Sequence, residues 1–300
     1  PPQTIRLHRH HVAPRARGSG NGKRYKIALR LLLEDGRLKA IILAAGQGTR
    51  LCPLTDDRPK CLVELAGQSL LNHHLHGLRA NGIDDIVIVG GYRADMLPVE
   101  GGRVRTNPDF DRTNMVATLF SVADELTPET DILITYGDCI YEPGGVAAVM
   151  NTDAPIAMAI DLEWRRFWEQ RMSDSLSDAE TLRLSEGGDI IELGKKPKSY
   201  ADIEGQYMGL FKLRADHVHQ FKTAWDSLDP DGVYDGKDRA NMYMTSFLQH
   251  LIDTGWTIRS EPVENGWLEV DTTEDIARYE DMHTAGQLEQ YCKLIRTSNS

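Results

Sequence analysis

Two glycines and two cationic side chains follow the first apolar run of the sequence. The run Lys39–Leu43 leads directly into the turn Ala44–Arg50, which contains Gly46 and Gly48, and Lys60 comes ten residues after the turn. A glycine-rich turn lets the backbone approach a ligand with its N–H groups free, which is how a triphosphate is bound. The arginine offers phosphate a bidentate fork, and the lysine offers a point charge. The pattern predicts a phosphate-binding turn, with a tight turn bearing two surface cations as the purely structural alternative.

The turn differs from the two commonest nucleotide-binding motifs. It lacks the Gly-Lys-Ser/Thr element of a P-loop. Its Gly46-x-Gly48 pair also lacks the third glycine and the spacing of a dinucleotide-binding fingerprint. A P-loop NTPase and a dinucleotide-dependent oxidoreductase are therefore not the function classes that this turn indicates.

Short β-rich runs alternate with helical patterns from Lys39 onward, which is typical of an α/β fold with a mostly parallel sheet and crossover helices on both faces. The predicted strands are Lys39–Leu43, Ile86–Val89, Arg103–Thr106, Ile132–Thr135, Ile156–Ile160 and Trp256–Ser260. The predicted helices are Ser69–Asn81, Asn114–Glu125, Gly145–Met150, Asp216–Leu228, Asn241–Thr254 and Thr272–Met282. Residues 161–213 are dense in charge, and their apolar pieces, Tyr207–Leu213 among them, predict a small antiparallel insertion beside the sheet.

Composition limits the organisation and the partners of the chain. With 300 residues, of which 41% are hydrophobic, we expect one α/β domain over residues 39–285, a basic and disordered extension over 1–38, and a tail over 286–300. The extension holds nine Lys and Arg residues against two acids, although the whole chain has a net charge of -11. The remainder is therefore strongly acidic, which excludes nucleic acid as a partner.

Hydropathy and cysteine usage bear on where the protein works. No stretch approaches the roughly 18 consecutive apolar residues of a membrane span. The four cysteines are scattered and form no CxxC pair, so we expect neither a zinc site nor a disulfide scaffold, and a reducing, cytoplasmic setting fits best. The sequence leaves a homo-oligomer open.

The turn also carries a family resemblance. The string Leu43–Leu51, followed by Pro53-Leu54-Thr55 and Pro59-Lys60, resembles the signature of the nucleotidyltransferases that activate sugar phosphates and phosphocholine. The resemblance extends over most of residues 39–282 and implies a Rossmann-like nucleotidyltransferase sheet. It implies that Arg50 and Lys60 are catalytic cations that neutralise the triphosphate. The residues that it implies for nucleotide binding are Ala44, Ala45, Gly46, Gly48, Thr49, Tyr92 and Asn114.

The resemblance also implies a magnesium site. Tyr136-Gly137-Asp138 ends the predicted central strand, where these enzymes place a metal-binding aspartate, and the segment Trp267–Asp271 is similar to the one that supplies a second acidic ligand. Asp138 and Asp271, with Glu269 beside them, are thus expected to hold Mg²⁺, which prefers hard oxygen ligands and usually only one or two protein carboxylates. Helix or turn capping is the alternative role for each aspartate.

The acceptor is indicated by a different part of the sequence. Asn107–Phe120 looks like the asparagine-led helix start of the phosphocholine cytidylyltransferase branch, which implies CTP as the nucleotide. The implied acceptor is phosphocholine, a related amino-alcohol phosphate or an aminoalkylphosphonate, and a cation of this kind is held by aromatic faces and a carboxylate. The expected acceptor-binding residues are Glu163, Trp164, Arg171 and Tyr243. The chain departs from the choline pattern at Thr245-Ser246, where the branch has an acidic residue, and Trp164 as plain packing remains the alternative.

The implied reaction joins CTP and a phosphorylated small molecule with release of pyrophosphate. An acceptor phosphate oxygen is already anionic at pH 7, so catalysis consists of positioning and charge neutralisation. A sugar-1-phosphate uridylyl- or thymidylyltransferase is the alternative within the class. A non-catalytic regulatory relative is the alternative outside it, although such relatives typically lose the cations and acids that this chain retains.

Overall fold

Seven strands form the central sheet of the computed structural model, which describes residues 38–294. Their bounds are β1 Lys39–Ala44, β4 Asp85–Gly90, β5 Arg103–Thr106, β6 Ile132–Tyr136, β8 Ile156–Asp161, β11 Gln206–Leu213 and β14 Ile258–Val263. They lie in the order β14-β8-β11-β6-β1-β4-β5, and every strand except β11 runs in the same direction. The predicted mostly parallel α/β sheet is confirmed. The predicted extension 1–38 falls outside the described residues except for Leu38, as do residues 295–300 of the predicted tail.

Short antiparallel pairs accompany the main sheet. They are β2 Glu64–Leu65 with β3 Gln68–Ser69, β7 Cys139–Tyr141 with β15 Trp267–Glu269, β9 Leu182–Leu184 with β10 Ile190–Leu193, and β12 Val233–Tyr234 with β13 Lys237–Asp238. The pair β9–β10 is the antiparallel insertion that the sequence predicts. The pair β7–β15 has the greater consequence, because it joins the segment after β6 to the segment before the last helix.

The strand β11 lies in the central sheet and not in the insertion, where the sequence predicts it. The run Tyr207–Leu213, assigned from the sequence to the insertion, lies in β11, which occupies the middle of the central sheet between β6 and β8. All eight residues of β11 are buried. A strand that is covered on both faces is typically a continuous apolar run in the sequence. The sequence around β11 is rich in charged residues, so its place within the central sheet could not be predicted from that pattern.

Seven α-helices cover the sheet within the described residues. They are α1 Leu70–Arg79, α2 Met115–Phe120, α3 Pro143–Met150, α4 Trp164–Arg171, α5 Val218–Asp226, α6 Met244–Asp253 and α7 Thr273–Thr284. On one face, His74 of α1 bonds to Thr135 at 2.9 Å. Successive residues of a strand point to opposite faces, so Tyr136, which lines a pocket together with Met115 of α2, faces the other side. None of the helices described is long and apolar enough to cross a membrane.

The strand order creates a crevice at the carboxyl edge of the sheet. From β1 the chain proceeds through β4 and β5 to one side, and then β6 pairs with the opposite side of β1. In open α/β sheets, ligands bind outside the carboxyl ends of the strands where the order reverses in this way. The turn after β1 and the residues after β6 therefore meet at the expected position of a ligand site.

Candidate active site

The glycine turn brings Lys60 to the end of β1. Gly48 adopts φ 71° and ψ 45°, a left-handed conformation that favours glycine. A Cβ atom at Gly48 would lie 2.9 Å from Cβ of Lys60, so the missing side chain makes room for the lysine stem. The hydroxyl of Thr55 donates a 2.9 Å bond to the Gly48 carbonyl and closes the loop between them. Glycine is therefore required here both for its conformation and for close approach.

Lys60 joins two aspartates that lie far apart in the sequence. Its Nζ donates to Oδ2 of Asp138 at 2.7 Å and to Oδ1 of Asp271 at 2.8 Å. Arg50 Nη2 donates to the same Oδ1 of Asp271 at 2.9 Å. Strands β7 and β15 make this meeting possible, since Asp138 precedes β7, Asp271 follows β15, and Val270 N donates to the Asp138 carbonyl at 3.1 Å. The structure thus brings together the four residues expected to bind triphosphate and metal.

Electrostatics favour the charged forms of Lys60 and Asp271. The Lys60 and Arg50 side chains differ in exposure, at 14% and 65%, so only the arginine reaches well into solvent. Burial alone would lower the pKa of Lys60, but Asp138 and Asp271 outweigh burial and raise this pKa. Burial would likewise raise the pKa of Asp271, yet Lys60 and Arg50 keep it below its ordinary value. Lys60 and Asp271 thus stabilise each other's charged form.

Arg171 lies beneath this cluster and not at an open acceptor site. Its side chain is only 3% exposed and is paired with three carboxylates, those of Glu269, Asp271 and Asp275. These carboxylates enclose the guanidinium and occupy its donors, so the geometry does not support the predicted role of Arg171 in acceptor binding, which stays a prediction. Glu269, a predicted metal ligand, forms an ion pair with Arg171, and its Oε2 accepts from Arg171 Nη1 at 2.7 Å. Burial and the neighbouring Asp271 raise the pKa of Glu269 to about 7.

A pocket opens beside the cluster, between β1 and α2. One end is formed by the turn after β1 and by the charged residues Lys60 and Asp138. The start of α2 and the loop that precedes it form another part of the lining. Besides Lys60 and Asp138, the lining residues are Leu43, Ala44, Ala45, Gly46, Cys61, Phe110, Thr113, Asn114, Met115, Thr118, Tyr136 and Gly137. Of the predicted nucleotide-binding residues, Ala44, Ala45, Gly46 and Asn114 line this pocket.

The other predicted nucleotide residues support the pocket from outside. Tyr92 N donates to the Ala45 carbonyl at 3.0 Å, and its hydroxyl donates to the Asp56 carbonyl at 2.8 Å, so this residue fastens β4 to the two neighbouring loops. Thr49 begins the short 3₁₀ turn that carries Arg50. Asn114, which lines the pocket, also caps α2, since its Oδ1 accepts from Met115 N at 2.8 Å.

Phe110 is a pocket residue that the sequence reasoning missed. Its loop is organised by Asn107, which is 2% exposed and whose side-chain amide donates to the hydroxyls of Thr113 and Thr118 at 2.9 and 3.0 Å. Asn107 Oδ1 also accepts from Asp109 N at 3.0 Å. In the sequence, the one indication that Phe110 could belong to the site is its position between Asn107 and Asn114, in the segment that resembles the cytidylyltransferase branch.

Gly91 allows this loop to approach the turn, and we expect Gly91→Ala to weaken nucleotide binding about tenfold. An added Cβ would lie 2.4 Å from Cβ of Phe110 and 2.6 Å from the Ala45 carbonyl, so one pocket wall must move. Overpacking of this kind lowers the free energy of unfolding by about 1–3 kcal/mol. Gly144→Ala is the matched control, because a Cβ there meets open space. Calorimetric titration with a nucleoside triphosphate and urea unfolding measure both effects, and wild-type values for Gly91→Ala would contradict the argument.

The residues expected to form an aromatic acceptor cage are not assembled. Trp164 is 4% exposed, and its ring centroid lies 6.2 Å from that of Trp168 and 6.1 Å from that of Tyr200. Tyr243 is 41% exposed, and its ring lies 5.5 Å from the Lys237 ammonium. No ring contact joins Trp164 to Tyr243 among residues 38–294. Glu163 is exposed at the start of α4. This arrangement corresponds to the packing alternative for Trp164.

The carboxylates of Asp138 and Asp271 could supply two ligands to a metal ion. Residues 38–294 contain no group of three or more His, Cys, Asp or Glu side chains arranged to hold a metal ion. Asp138 and Asp271 nevertheless direct one oxygen each at a single ammonium, so a cation is already held between two carboxylates. Two hard oxygen donors fit Mg²⁺, which takes its remaining ligands from water and phosphate.

Comparison with known proteins finds relatives of this chain in sequence and in fold. The family profile of the MobA-like NTP transferase domain matches residues 40–181. CTP:phosphoglutamine cytidylyltransferase of Campylobacter jejuni is 38% identical over 248 residues, which are 80% of this chain and 98% of that protein. Choline-phosphate cytidylyltransferase of Streptococcus pneumoniae is 40% identical over 93 residues, or 30% of this chain and 41% of that protein. The solved structure of CTP:phosphocholine cytidylyltransferase from S. pneumoniae has a TM-score of 0.62 at 20% identity, with 82% and 99% of the two chains covered, and so shares the fold.

Proposed function

The chain belongs to the nucleotidyltransferases with a MobA-like NTP transferase domain, and from that membership we propose that it transfers CMP from CTP to a small phosphorylated acceptor. The observation that carries the proposal is the meeting of Arg50 and Lys60 with Asp138 and Asp271 beside the pocket. Such a site contains cationic side chains that could bind a triphosphate, and carboxylates that could bind the divalent metal ion that accompanies it. The high similarity to a cytidylyltransferase over nearly that protein's whole length supports CTP as the nucleotide.

In this proposal the triphosphate lies along the glycine turn. Its oxygens are bound by the backbone N–H groups of the turn and by the side chains of Lys60 and Arg50. Because both side chains bond Asp271 in the structure, they must release that carboxylate when they bind the triphosphate. An oxygen of the acceptor phosphate attacks the α-phosphorus and forms the new P–O bond. The bond from the α-phosphorus to its bridging oxygen breaks, and that oxygen leaves as part of pyrophosphate. The attacking oxygen is anionic at pH 7, so no protein base is required, and positioning supplies much of the rate.

Asp138 and Asp271 would hold Mg²⁺ when CTP is bound. The ion would neutralise charge that develops on the α-phosphate. The two aspartates orient the nucleotide toward the acceptor, and Glu269 remains with Arg171 as a buried support for Asp271.

For the acceptor, we propose a phosphorylated small molecule with a nitrogen-bearing group, phosphoglutamine ahead of phosphocholine. The cytidylyltransferase that is similar over 98% of its length acts on phosphoglutamine, whereas the choline-phosphate enzyme is similar over 41% of its length. A quaternary ammonium needs open aromatic faces. The burial of Trp164 and its separation from Tyr243 argue against such a cage, which weakens the case for phosphocholine.

A screen of nucleotides against acceptors tests the proposal. CTP, UTP and dTTP are each incubated with phosphoglutamine, phosphocholine, phosphoethanolamine or glucose 1-phosphate, with release of pyrophosphate as the readout and Asp271→Asn as the blank. We expect CTP with phosphoglutamine to give the highest kcat/KM, at least about tenfold above phosphocholine, which corresponds to 1.4 kcal/mol. A preference for glucose 1-phosphate with UTP or dTTP would instead identify a sugar-phosphate enzyme. No turnover with any pair would favour a non-catalytic relative.

A further inference from the structure

We propose that Arg171 is a positioning residue that turns one oxygen of Asp271 toward the phosphate site and fixes the loop on which Asp271 lies. The catalytic consequence of this inference rests on the proposed function, but the geometry does not. Arg171 is the last residue of α4, in the segment between β8 and the insertion, and it is 98 to 104 residues away from the carboxylates that it contacts.

The two oxygens of Asp271 have different partners. Oδ2 accepts from Nη2 of Arg171 at 3.4 Å, on the buried side of the carboxylate. Oδ1 accepts from Lys60 and Arg50, on the side of the glycine turn. Because Arg171 is buried and cannot follow a ligand, it holds Oδ2 in place when the two other cations exchange Asp271 for phosphate. Oδ1 is then the oxygen that faces the site.

Arg171 also acts on the backbone of the same loop through Asp275. Its Nε and Nη2 donate to the two carboxylate oxygens of Asp275 at 3.1 and 3.2 Å. Oδ2 of Asp275 in turn accepts from the backbone N–H groups of Asp271 and Thr272 at 2.9 and 3.0 Å. Thr272 and Asp275 form the capping box at the start of α7. One guanidinium thus fixes both the main chain and the side chain of Asp271.

The surroundings require the fork of an arginine and not merely a positive charge. The remaining donor, Nη1, binds Glu269 at 2.7 Å, so three carboxylates are bound along different directions. The rings of Phe167 and Trp168 lie 5.8 and 5.4 Å from the guanidinium carbon. Lysine presents one compact ammonium on a flexible stem and cannot reproduce this planar set of contacts. Arg171→Lys therefore keeps the charge and removes the geometry.

Hydrogen exchange in the ligand-free chain tests the inference without CTP or acceptor. In Arg171→Lys we expect the amides of Asp271 and Thr272 to exchange at least about tenfold faster, with the amides of β1 unchanged. Arg166→Lys is the matched control, because Arg166 lies on the same helix but is exposed, where it bonds Gln290 at 3.0 Å. Asp275→Asn removes the intermediate carboxylate and should accelerate the same two amides. Unchanged protection in both variants overturns the inference.

Steady-state kinetics with the preferred substrate pair tests its consequence. A positioning role predicts that Arg171→Lys lowers kcat about tenfold while KM for CTP stays within about twofold, since triphosphate binding relies on other residues. A purely structural role predicts unchanged kcat per folded molecule, and that result overturns the inference. A failure of the proposed function would appear as absence of cytidylyl transfer in the wild-type chain, which leaves the exchange result to decide on Arg171 alone.

Discussion

Replacement of Lys60 by methionine is expected to abolish most activity and to destabilise the fold together. Lys60 is the cation shared by Asp138 and Asp271, and all three side chains are largely buried. Removal of one partner from a buried ion pair typically costs about 3–5 kcal/mol, because it leaves an uncompensated charge. Partial exposure of the aspartates places the expected loss of unfolding free energy near the lower limit, at about 3 kcal/mol. Under the proposed function, loss of the cation that would bind the triphosphate should lower kcat/KM by about three orders of magnitude.

The pH dependence distinguishes this mechanism from loss of packing. Lys60 keeps the pKa of Asp271 below its ordinary value in the folded chain, so the stabilisation is present above the unfolded pKa and is lost as the pH falls through the folded pKa. The difference in stability between wild type and Lys60→Met should therefore be large at pH 7 and shrink below about pH 4. Urea unfolding at both pH values measures it. Lys60→Arg keeps the charge and is the control, and an equal difference at both pH values would contradict the electrostatic account.

Asp138→Asn and Asp271→Asn are each expected to lower kcat by a factor of about 10² or more, equivalent to about 3 kcal/mol of transition-state stabilisation. Both changes keep the shape of the side chain and remove the charge that would hold Mg²⁺ and orient the nucleotide. Rates at saturating CTP, acceptor and Mg²⁺ measure the effect, and circular dichroism checks that the fold is intact. Asp189→Asn serves as a control, because Asp189 pairs with Arg259 at 3.0 Å near the surface. Near wild-type turnover of either site variant would remove that aspartate from the active site.

Local patterns predicted the strands of the sheet other than β11, and the turn after β1. The predicted strand Arg103–Thr106 coincides with β5, and Lys39–Leu43 differs from β1 by one residue. Strand identity follows from short apolar runs, and the position of the site follows from the rule that parallel strands place their carboxyl ends at one edge. The cluster of Lys60 with Asp138 and Asp271 was expected only because the sequence resembles a family.

Long-range contacts account for what the sequence could not predict. Arg171 belongs to a helix with three arginines, a pattern that is usual for a solvated surface, and nothing local shows that three carboxylates surround it. Trp164 was predicted to bind the acceptor with its ring, but the ring is buried and lies beside Tyr200, which comes from a distant turn. In each case the environment of the side chain is set by tertiary packing, which periodicity does not report.

The position of β11 has a consequence for the order in which the chain can fold during synthesis. The segment 40–181 matched by the family profile includes β6 and β8 but ends before residue 206, where β11 begins. Both strands pair with β11 and not with each other, so β6 has an open edge and β8 has no partner in the sheet until the ribosome has produced the insertion and the strand beyond it. Unpaired strand edges on a partly folded chain promote aggregation. At that point β5, β4, β1 and β6, next to the glycine turn, can already pair with one another, while β8 cannot pair within the sheet until β11 follows.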